Sequence, residues 1–296
     1  MYISQETTLT SSPADLSDVA TTSLLTLYAR ALESQSTDPI LIDEKAVEIT
    51  RRLNPRLAAS PDRLLRSLAS GKVSKQLSVH LALRASQYDA TTREFLTRYP
   101  KGSVVNIGCG MDTRFDRVDN GQAHFFDLDL PEVIRFKGDY VDEGLRYQMI
   151  PASVFDYTWM DQVTQAGNSP VLFLAEGVFM YLEPDKVRRL FVDLHTRFPG
   201  AELVCEVVNS RWLSKFLKPL LNLKMQRQAG LGKGAVFQFG ISNSREPESW
   251  SPGIRLLDEW SYFDSRHPKL GIIGLMGRSE LFRKTQWTVH YRLGNA

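Results

Sequence analysis

The hydrophobic pattern of the chain changes at Gly102. Between Leu16 and Tyr99, apolar residues recur at spacings of three and four behind capping Ser or Asp residues, which is typical of amphipathic helices. Beyond Gly102, five short apolar runs alternate with four helical segments, and two further strand-like runs follow later. Such alternation is typical of βαβ units, so the sequence predicts an α/β fold with a parallel sheet covered by helices on both faces.

This pattern also divides the chain into regions. We predict a loose N-terminus, a helical cap, a ligand-binding core in two pieces, and a lid inserted into that core. In that order the regions are residues 1–15, residues 16–100, residues 101–209 with 252–296, and residues 210–251. Because ligands of such sheets bind beyond the carboxyl ends of the strands, the residues that end each strand are the candidates for function.

Composition narrows the function classes. The chain has 296 residues, of which 43% are hydrophobic and 24% are charged, the balance of a globular protein. A net charge of +2 is too small to indicate a nucleic-acid-binding protein. The longest apolar run, 12 residues that include Glu176, is too short to span a membrane. The two cysteines lie 96 residues apart, which fits no zinc or disulfide pattern, and we predict no metal site. With no signal peptide apparent, we expect a cytoplasmic protein.

A glycine-rich turn follows the first predicted strand, in the segment NIGCGMDTRFDR. Gly108 and Gly110 allow the backbone to approach a ligand without a clash from a Cβ atom. A dinucleotide fingerprint would have a third glycine at the position of Thr113, and the neighbouring Asp112, which we expect to cap the next helix, would repel a pyrophosphate. The remaining common ligand, with a nucleoside but no phosphates, is S-adenosylmethionine.

The second predicted strand carries two acids, in the segment HFFDLDLPEV. Asp127 and Asp129 lie 19 and 21 residues after Gly108, the distance at which an acid accepts hydrogen bonds from ribose hydroxyls. Both are therefore candidate cofactor-binding residues. The alternative is that they only cap the strand and start the next turn.

Three motifs occur in order along the chain: VVNIGCGMDTR, FFDLDLPEV with the later Lys137, and LFLAEGVFMYL. Together they resemble the leucine carboxyl methyltransferase family, which includes small-molecule O-methyltransferases of the tetracenomycin polyketide type. The resemblance extends from about Arg84 to the C-terminal VHYRL. It implies a class I methyltransferase with a seven-stranded Rossmann-like sheet of order 3-2-1-4-5-7-6, the seventh strand antiparallel, and S-adenosylmethionine as cofactor.

The resemblance also implies roles for individual residues. Arg84 matches an arginine that pairs with the methionine carboxylate of the cofactor, Gly108 matches a glycine that touches it, and Asp129 matches the ribose-binding acid. Glu176 ends the fourth strand in an apolar segment, where a carboxylate needs a partner. That partner is either the amino or sulfonium end of the cofactor or a buried arginine.

One position departs from the family pattern. Members usually have Asp-Leu after the third strand, where the Asp receives the adenine amino group, and this chain has Ser153 and Val154. Serine can accept the same hydrogen bond, but without charge. We keep both residues as cofactor-binding candidates.

The acceptor side is marked by aromatic residues. Tyr181 lies five residues after Glu176, and we expect it to orient the acceptor rather than act as a base. Tyr88 is predicted to share a helix face with Arg84, because the two are four residues apart. None of the five histidines follows strands one, four or five. The predicted lid supplies the other candidates for binding the acceptor: Trp212, Phe216, Phe237 and Phe239.

These observations favour an S-adenosylmethionine-dependent O-methyltransferase that acts on a hydroxyl or carboxyl group of a small molecule, such as an aromatic or polyketide metabolite. A protein C-terminal carboxyl methyltransferase and a non-catalytic S-adenosylmethionine-binding protein are the alternatives. We expect no nucleic-acid partner and no integral membrane association. A carrier protein and a second copy of the chain stay open as partners.

Overall fold

The computed structural model describes residues 18–167, 169–214 and 236–294. Its N-terminal part is helical, as the sequence predicts. Four helices precede the first strand: α1 (Asp18–Ser34), α2 (Glu44–Ala58), α3 (Arg63–Ala69) and α4 (Lys75–Arg98). The predicted loose segment 1–15 lies outside the described residues, and the division into cap, core and lid remains a prediction.

A single seven-stranded sheet forms the centre of the described fold. Its strands are β1 (Ser103–Ile107), β2 (His124–Asp129), β3 (Tyr147–Pro151), β4 (Val171–Ala175), β5 (Ala201–Val208), β6 (Ile254–Trp260) and β7 (Gln286–Leu293). Their order is β3-β2-β1-β4-β5-β7-β6, with β1 to β5 parallel and β7 antiparallel to both of its neighbours. The predicted fold class and strand order are confirmed.

Helices connect the parallel strands, as βαβ units require. They are α5 (Arg114–Val118), α6 (Pro131–Gly138), α7 (Thr158–Gln165) and α8 (Pro184–Arg197), and the short α9 (Glu280–Arg283) precedes β7. Among the described residues, no helix is both long enough and apolar enough to cross a membrane.

The central strands of the sheet are buried on both faces. Successive residues of a strand point to opposite sides, so each strand contributes to two cores. In β1, Val105 and Ile107 belong to a hydrophobic core with α7 and α8, whereas Val104 belongs to a second core with the four N-terminal helices. All five residues of β1 are buried. The second core therefore fixes the N-terminal helices against the sheet, and α1 and α4 come to lie over its carboxyl edge.

Candidate functional site

A cavity of about 420 Å³ opens at the carboxyl edge of the sheet, between the strand ends and helices α1 and α4. This volume lies in the range of small-molecule sites. The sheet order separates its lining into two sides. The β1–β3 side follows the ends of β1, β2 and β3 and includes Gly108, Gly110, Asp129, Ser153 and Val154. The β4–β7 side includes Tyr181, Phe237, Tyr262, Phe282, Thr285 and Gln286.

The glycine turn has the conformation that the sequence predicts. Gly108 and Gly110 have φ angles of +62° and +50°, in the left-handed region that favours glycine. A Cβ atom at Gly108 would lie 2.5 Å from Val178 Cγ2, and one at Gly110 would lie 2.6 Å from Ser23 Cβ. Glycine at these two positions thus lets the turn pack closely against Val178 and Ser23, which also line the cavity.

Asp129 lies in the cavity wall, and its carboxylate is hydrogen-bonded to the backbone of the glycine turn. Its Oδ2 accepts from the backbone N–H of Gly110 at 2.7 Å, and its Oδ1 accepts from that of Leu130 at 2.7 Å. Each oxygen keeps a further lone pair. Burial raises the pKa of this carboxyl above its ordinary value. The carboxylate is placed where a ribose hydroxyl could donate to it, although that contact itself remains a prediction.

Asp127 takes part in a buried ion pair. It is not among the described residues that line the cavity. Its Oδ2 accepts from the ammonium group of Lys137, which is completely buried, and from the hydroxyl of Tyr147 at 2.6 Å. Because this carboxylate neutralises a buried cation, it has a structural role, and its predicted ribose contact is untested. The Lys137 ammonium also donates to the carbonyl of Asp112 at 2.5 Å, which ties the glycine turn to α6.

Ser153 and Val154 line the cavity just after β3. The Ser153 hydroxyl accepts from the backbone N–H of Phe155 at 3.3 Å. Both residues therefore lie on the β1–β3 side, where the resemblance places the adenine ring. Their contact with the adenine remains a prediction.

Glu176 lines the cavity and pairs with two buried arginines, whereas its contact with the cofactor remains a prediction. Its two oxygens accept from Arg84 Nε at 2.8 Å and from an Arg114 guanidinium nitrogen at 2.6 Å. Although burial opposes ionisation, these cations hold the pKa of Glu176 below its usual range. Arg84 also donates to Glu206 at 2.7 Å, so its guanidinium lies between two carboxylates at the cavity wall. Its predicted pairing with the cofactor carboxylate is untested.

Asp112 is not the helix cap that the sequence analysis expects. Its carboxylate accepts from the side chains of Asn106 at 3.0 Å and Arg117 at 3.1 Å, and pairs with Arg114 at 2.7 Å. Although burial opposes ionisation, these arginines hold its pKa far below the ordinary range. The buried arginines reach this acid from α5, so it links the glycine turn to that helix. A second buried ion-pair layer continues through Asp43 and Asp89.

The β4–β7 side is aromatic around Tyr181. The Tyr181 ring lies 5.2 Å from the Phe237 ring, and the Tyr181 carbonyl accepts from the Gln238 side chain at 2.8 Å. Burial and the charge of Glu206 raise the pKa of Tyr181 to about 12. Its hydroxyl is therefore protonated at neutral pH, which suits the predicted orienting role better than that of a base.

Three of the residues predicted to bind the acceptor lie outside the described cavity lining. Tyr88 is completely buried away from the described cavity lining, because its ring packs on Arg114 and its hydroxyl donates to the Ala175 carbonyl at 3.3 Å. Phe239 lies in the core that contains α8. Trp212 packs in the apolar cluster behind Tyr181 and Phe237 rather than in the described lining. Phe216, which is also predicted to bind the acceptor, lies outside the described residues.

The sequence analysis missed several cavity residues. They are contributed by distant segments of the chain: Ser23, Arg30, His80, Tyr262, Phe282 and Gln286. One signal was present, because His80 precedes Arg84 by four residues and so shares its face of α4. The residues around β6 and β7 carried no comparable signal.

The lining fits a nucleoside ligand without phosphates. The arginines in the described lining, Arg30 and Arg84, are both bonded to carboxylates, at 2.9 Å from Asp43 and 2.8 Å from Glu176. Phosphate sites usually present free cations or helix N-termini. The glycine turn would allow S-adenosylmethionine to pack closely against the backbone, and the Asp129 carboxylate could accept a hydrogen bond from its ribose.

Comparisons with known proteins agree with this geometry. A family model described as leucine carboxyl methyltransferase matches residues 23–195. The chain is 31% identical over 251 residues to the tetracenomycin polyketide synthesis O-methyltransferase TcmP of Streptomyces glaucescens, covering 84% of this chain and 85% of that protein. It is 26% identical to the S-adenosyl-L-methionine-dependent methyltransferase dpfgK of Gibberella zeae, covering 84% of each chain.

Solved structures share the fold at low identity. A duf574 family protein from Streptomyces avermitilis aligns with a TM-score of 0.54 and 11% identity, covering 89% of this chain and 96% of that one. A protein from Thermobifida fusca, described as a putative methyltransferase, aligns with a TM-score of 0.53 and 15% identity, covering 82% and 94%. The match to the family model covers more than half of the chain. The protein thus belongs to the leucine carboxyl methyltransferase family and is an S-adenosylmethionine-dependent methyltransferase.

Proposed function

We propose that this protein transfers the methyl group of S-adenosylmethionine to an oxygen of a small aromatic acceptor of the polyketide type, and that the accepting group is a carboxylate. Two names support the proposal: the relative from Streptomyces glaucescens is a polyketide O-methyltransferase, and the family description refers to a carboxyl group. The aromatic rings of Tyr181, Phe237 and Tyr262 suit a planar acceptor.

The observation that carries the choice of a carboxylate is that the described lining of the β4–β7 side lacks a base that titrates near neutral pH. Burial and the charge of Glu206 raise the pKa values of Tyr181 and Tyr262 to about 12. Burial, with the charge of Arg84, lowers that of His80 to about 3. A phenol, with a pKa of about 10, benefits from a general base, whereas a carboxylate is already ionised at neutral pH.

The chain's own groups then act mainly by position and charge. S-adenosylmethionine supplies an electrophilic methyl group on a sulfonium. Arg84 and Glu176 place fixed charges in the cavity wall, and Tyr181 offers a neutral hydroxyl donor to the acceptor. Because an anionic acceptor and a cationic sulfonium lose their charges together, a cavity that excludes water favours the reaction.

Phenols are the second candidate, because the aromatic lining serves a phenol as well as an aromatic acid. Two measurements test the proposal. Calorimetric titration should detect binding of S-adenosylhomocysteine and none of NAD. The enzyme should then be incubated with S-adenosylmethionine and each of three acceptors: 2-naphthoate, 2-naphthol and a peptide with a C-terminal leucine.

A methyl ester of 2-naphthoate, identified by mass spectrometry and by its hydrolysis in mild alkali, is the expected product. A methyl ether of 2-naphthol as the sole product would replace the carboxylate with a hydroxyl acceptor. Methylation of the peptide alone would replace the small molecule with a protein tail.

A further inference from the structure

His80 is a polar residue in the cavity wall whose ring nitrogens are not hydrogen-bonded to any described residue. It lies on α4, one helical turn before Arg84, and is half-buried. Its imidazole ring packs against the ring of Tyr262, with centroids 4.1 Å apart and planes inclined by 32°. The two rings come from opposite ends of the chain and together form an aromatic wall in the cavity.

The ring nitrogens of His80 have no hydrogen-bond partner among the residues that the structure describes. Because the imidazole lines the cavity, these nitrogens are available to form hydrogen bonds with a ligand there. The nearby charges are those of Arg84 and Glu176, and burial together with Arg84 lowers the pKa of His80 to about 3. The ring is therefore uncharged at neutral pH, with one N–H donor and one nitrogen acceptor.

We propose that His80 contacts the acceptor directly, packing its ring, together with Tyr262, against the planar acceptor and donating its N–H to the accepting oxygen. This role rests on the proposed function. Its position supports it, because Arg84 lies one helical turn away on α4 and pairs with Glu176, and the resemblance assigns the methionine carboxylate of the cofactor to Arg84. An acceptor oxygen held by His80 lies close to the end of the cofactor that carries the methyl group.

Two substitutions separate the ring from its nitrogens. His80→Phe keeps an aromatic ring against Tyr262 but removes both nitrogens, whereas His80→Gln keeps polar atoms and removes the ring. His124→Phe is the matched control, because His124 begins β2 at the edge of the sheet opposite the cavity. All three variants should be assayed for kcat, for the acceptor KM with 2-naphthoate and for the Kd of S-adenosylhomocysteine.

We expect His80→Phe to lower kcat/KM for 2-naphthoate by about 10- to 100-fold, the effect of losing one charge-assisted hydrogen bond. The Kd of S-adenosylhomocysteine should stay within about twofold, and His80→Gln should recover part of the loss. The control should match the unmodified enzyme. Unchanged kcat/KM in His80→Phe, or an equal loss of S-adenosylhomocysteine affinity, would overturn the proposal, since either result makes His80 a structural residue.

A second measurement needs no turnover. The ¹⁵N resonances of the His80 imidazole are followed in the complex with S-adenosylhomocysteine during titration with 2-naphthoate, 2-naphthol and the apolar 2-methylnaphthalene. A shift that requires the oxygen supports the contact. No shift with either oxygen compound, or the same shift with all three, overturns it. If no acceptor is methylated, the proposed function fails, and this titration still decides the role of His80.

Discussion

The two sides of the cavity are built in different ways. On the β1–β3 side, the residues follow the ends of three consecutive strands and include the glycines of the turn. On the β4–β7 side, the lining comes from α4, from the turn after β4 and from the segments around β6 and β7. A parallel βαβ unit places successive strand ends at one edge, so local order determines the first side. Long-range packing determines the second.

A smaller comparison shows how side chains separate on one strand. Asp127 and Asp129 are two residues apart on β2, so their side chains leave the same face of the sheet. Asp129 extends past the strand end into the cavity, whereas Asp127 lies one step back and neutralises Lys137. Position along the strand thus separates a candidate ligand contact from a structural ion pair, and substitutions at the two sites should have different effects.

The largest effect is expected from Asp127→Ala. Because Lys137 is completely buried, removing its carboxylate leaves an unpaired charge, and the free energy of unfolding should fall by about 3–5 kcal/mol. Urea denaturation measures this change, with Asp129→Ala as the control that should lose much less. A loss below about 1 kcal/mol would show that water or another group reaches Lys137.

The next effect is expected from Asp129→Ala, on ligand affinity rather than on the fold. A hydrogen bond to a charged group contributes about 1.5–3 kcal/mol, so the affinity for S-adenosylhomocysteine should fall by about tenfold or more. Calorimetry measures the affinity. Asp129→Asn, which keeps an oxygen acceptor, should lose less than the alanine variant. An unchanged affinity would remove the ribose contact from this side of the cavity.

A smaller effect on the other side is expected from Phe237→Leu. The Phe237 ring lines the cavity beside Tyr181, and the loss of an aromatic contact of about 0.5–1.5 kcal/mol should raise the acceptor KM by about two- to tenfold. S-adenosylhomocysteine affinity should not change. Phe239→Leu is the matched control, because that ring is in the core and should alter stability but not KM. Equal KM values in both variants would deny Phe237 a role in acceptor binding.

The smallest effect is expected from pH. His80, whose pKa is lowered to about 3 by burial and Arg84, is already deprotonated at neutral pH, and Tyr181, raised to about 12, is still protonated. An aromatic carboxylate is ionised throughout the same range. The kcat for 2-naphthoate should therefore be flat between about pH 6 and 9. A rise of kcat through this range would indicate a base that titrates there and would favour a phenol acceptor.

The sequence predicted the fold and the β1–β3 side well, because both depend on local signals. The signals for the strands, for the positive-φ glycines and for the acid at the end of β2 each lie within a few residues of the chain. The failures have long-range causes. Asp112 follows the turn as a cap would, yet three arginines from α1 and α5 surround it. Tyr88 shares a helix face with Arg84, but it lies one turn further along α4. There that face packs against β4, and the Tyr88 hydroxyl donates to the Ala175 carbonyl.

The pair formed by Asp127 and Lys137 also constrains how this sequence can diverge. A change of either residue alone leaves a buried charge, at a cost of about 3–5 kcal/mol out of a total stability of about 5–15 kcal/mol. Replacement of both by apolar residues of similar volume avoids that cost. Chains that keep this sheet should therefore carry both charges or neither, so the two positions are expected to covary across homologous sequences.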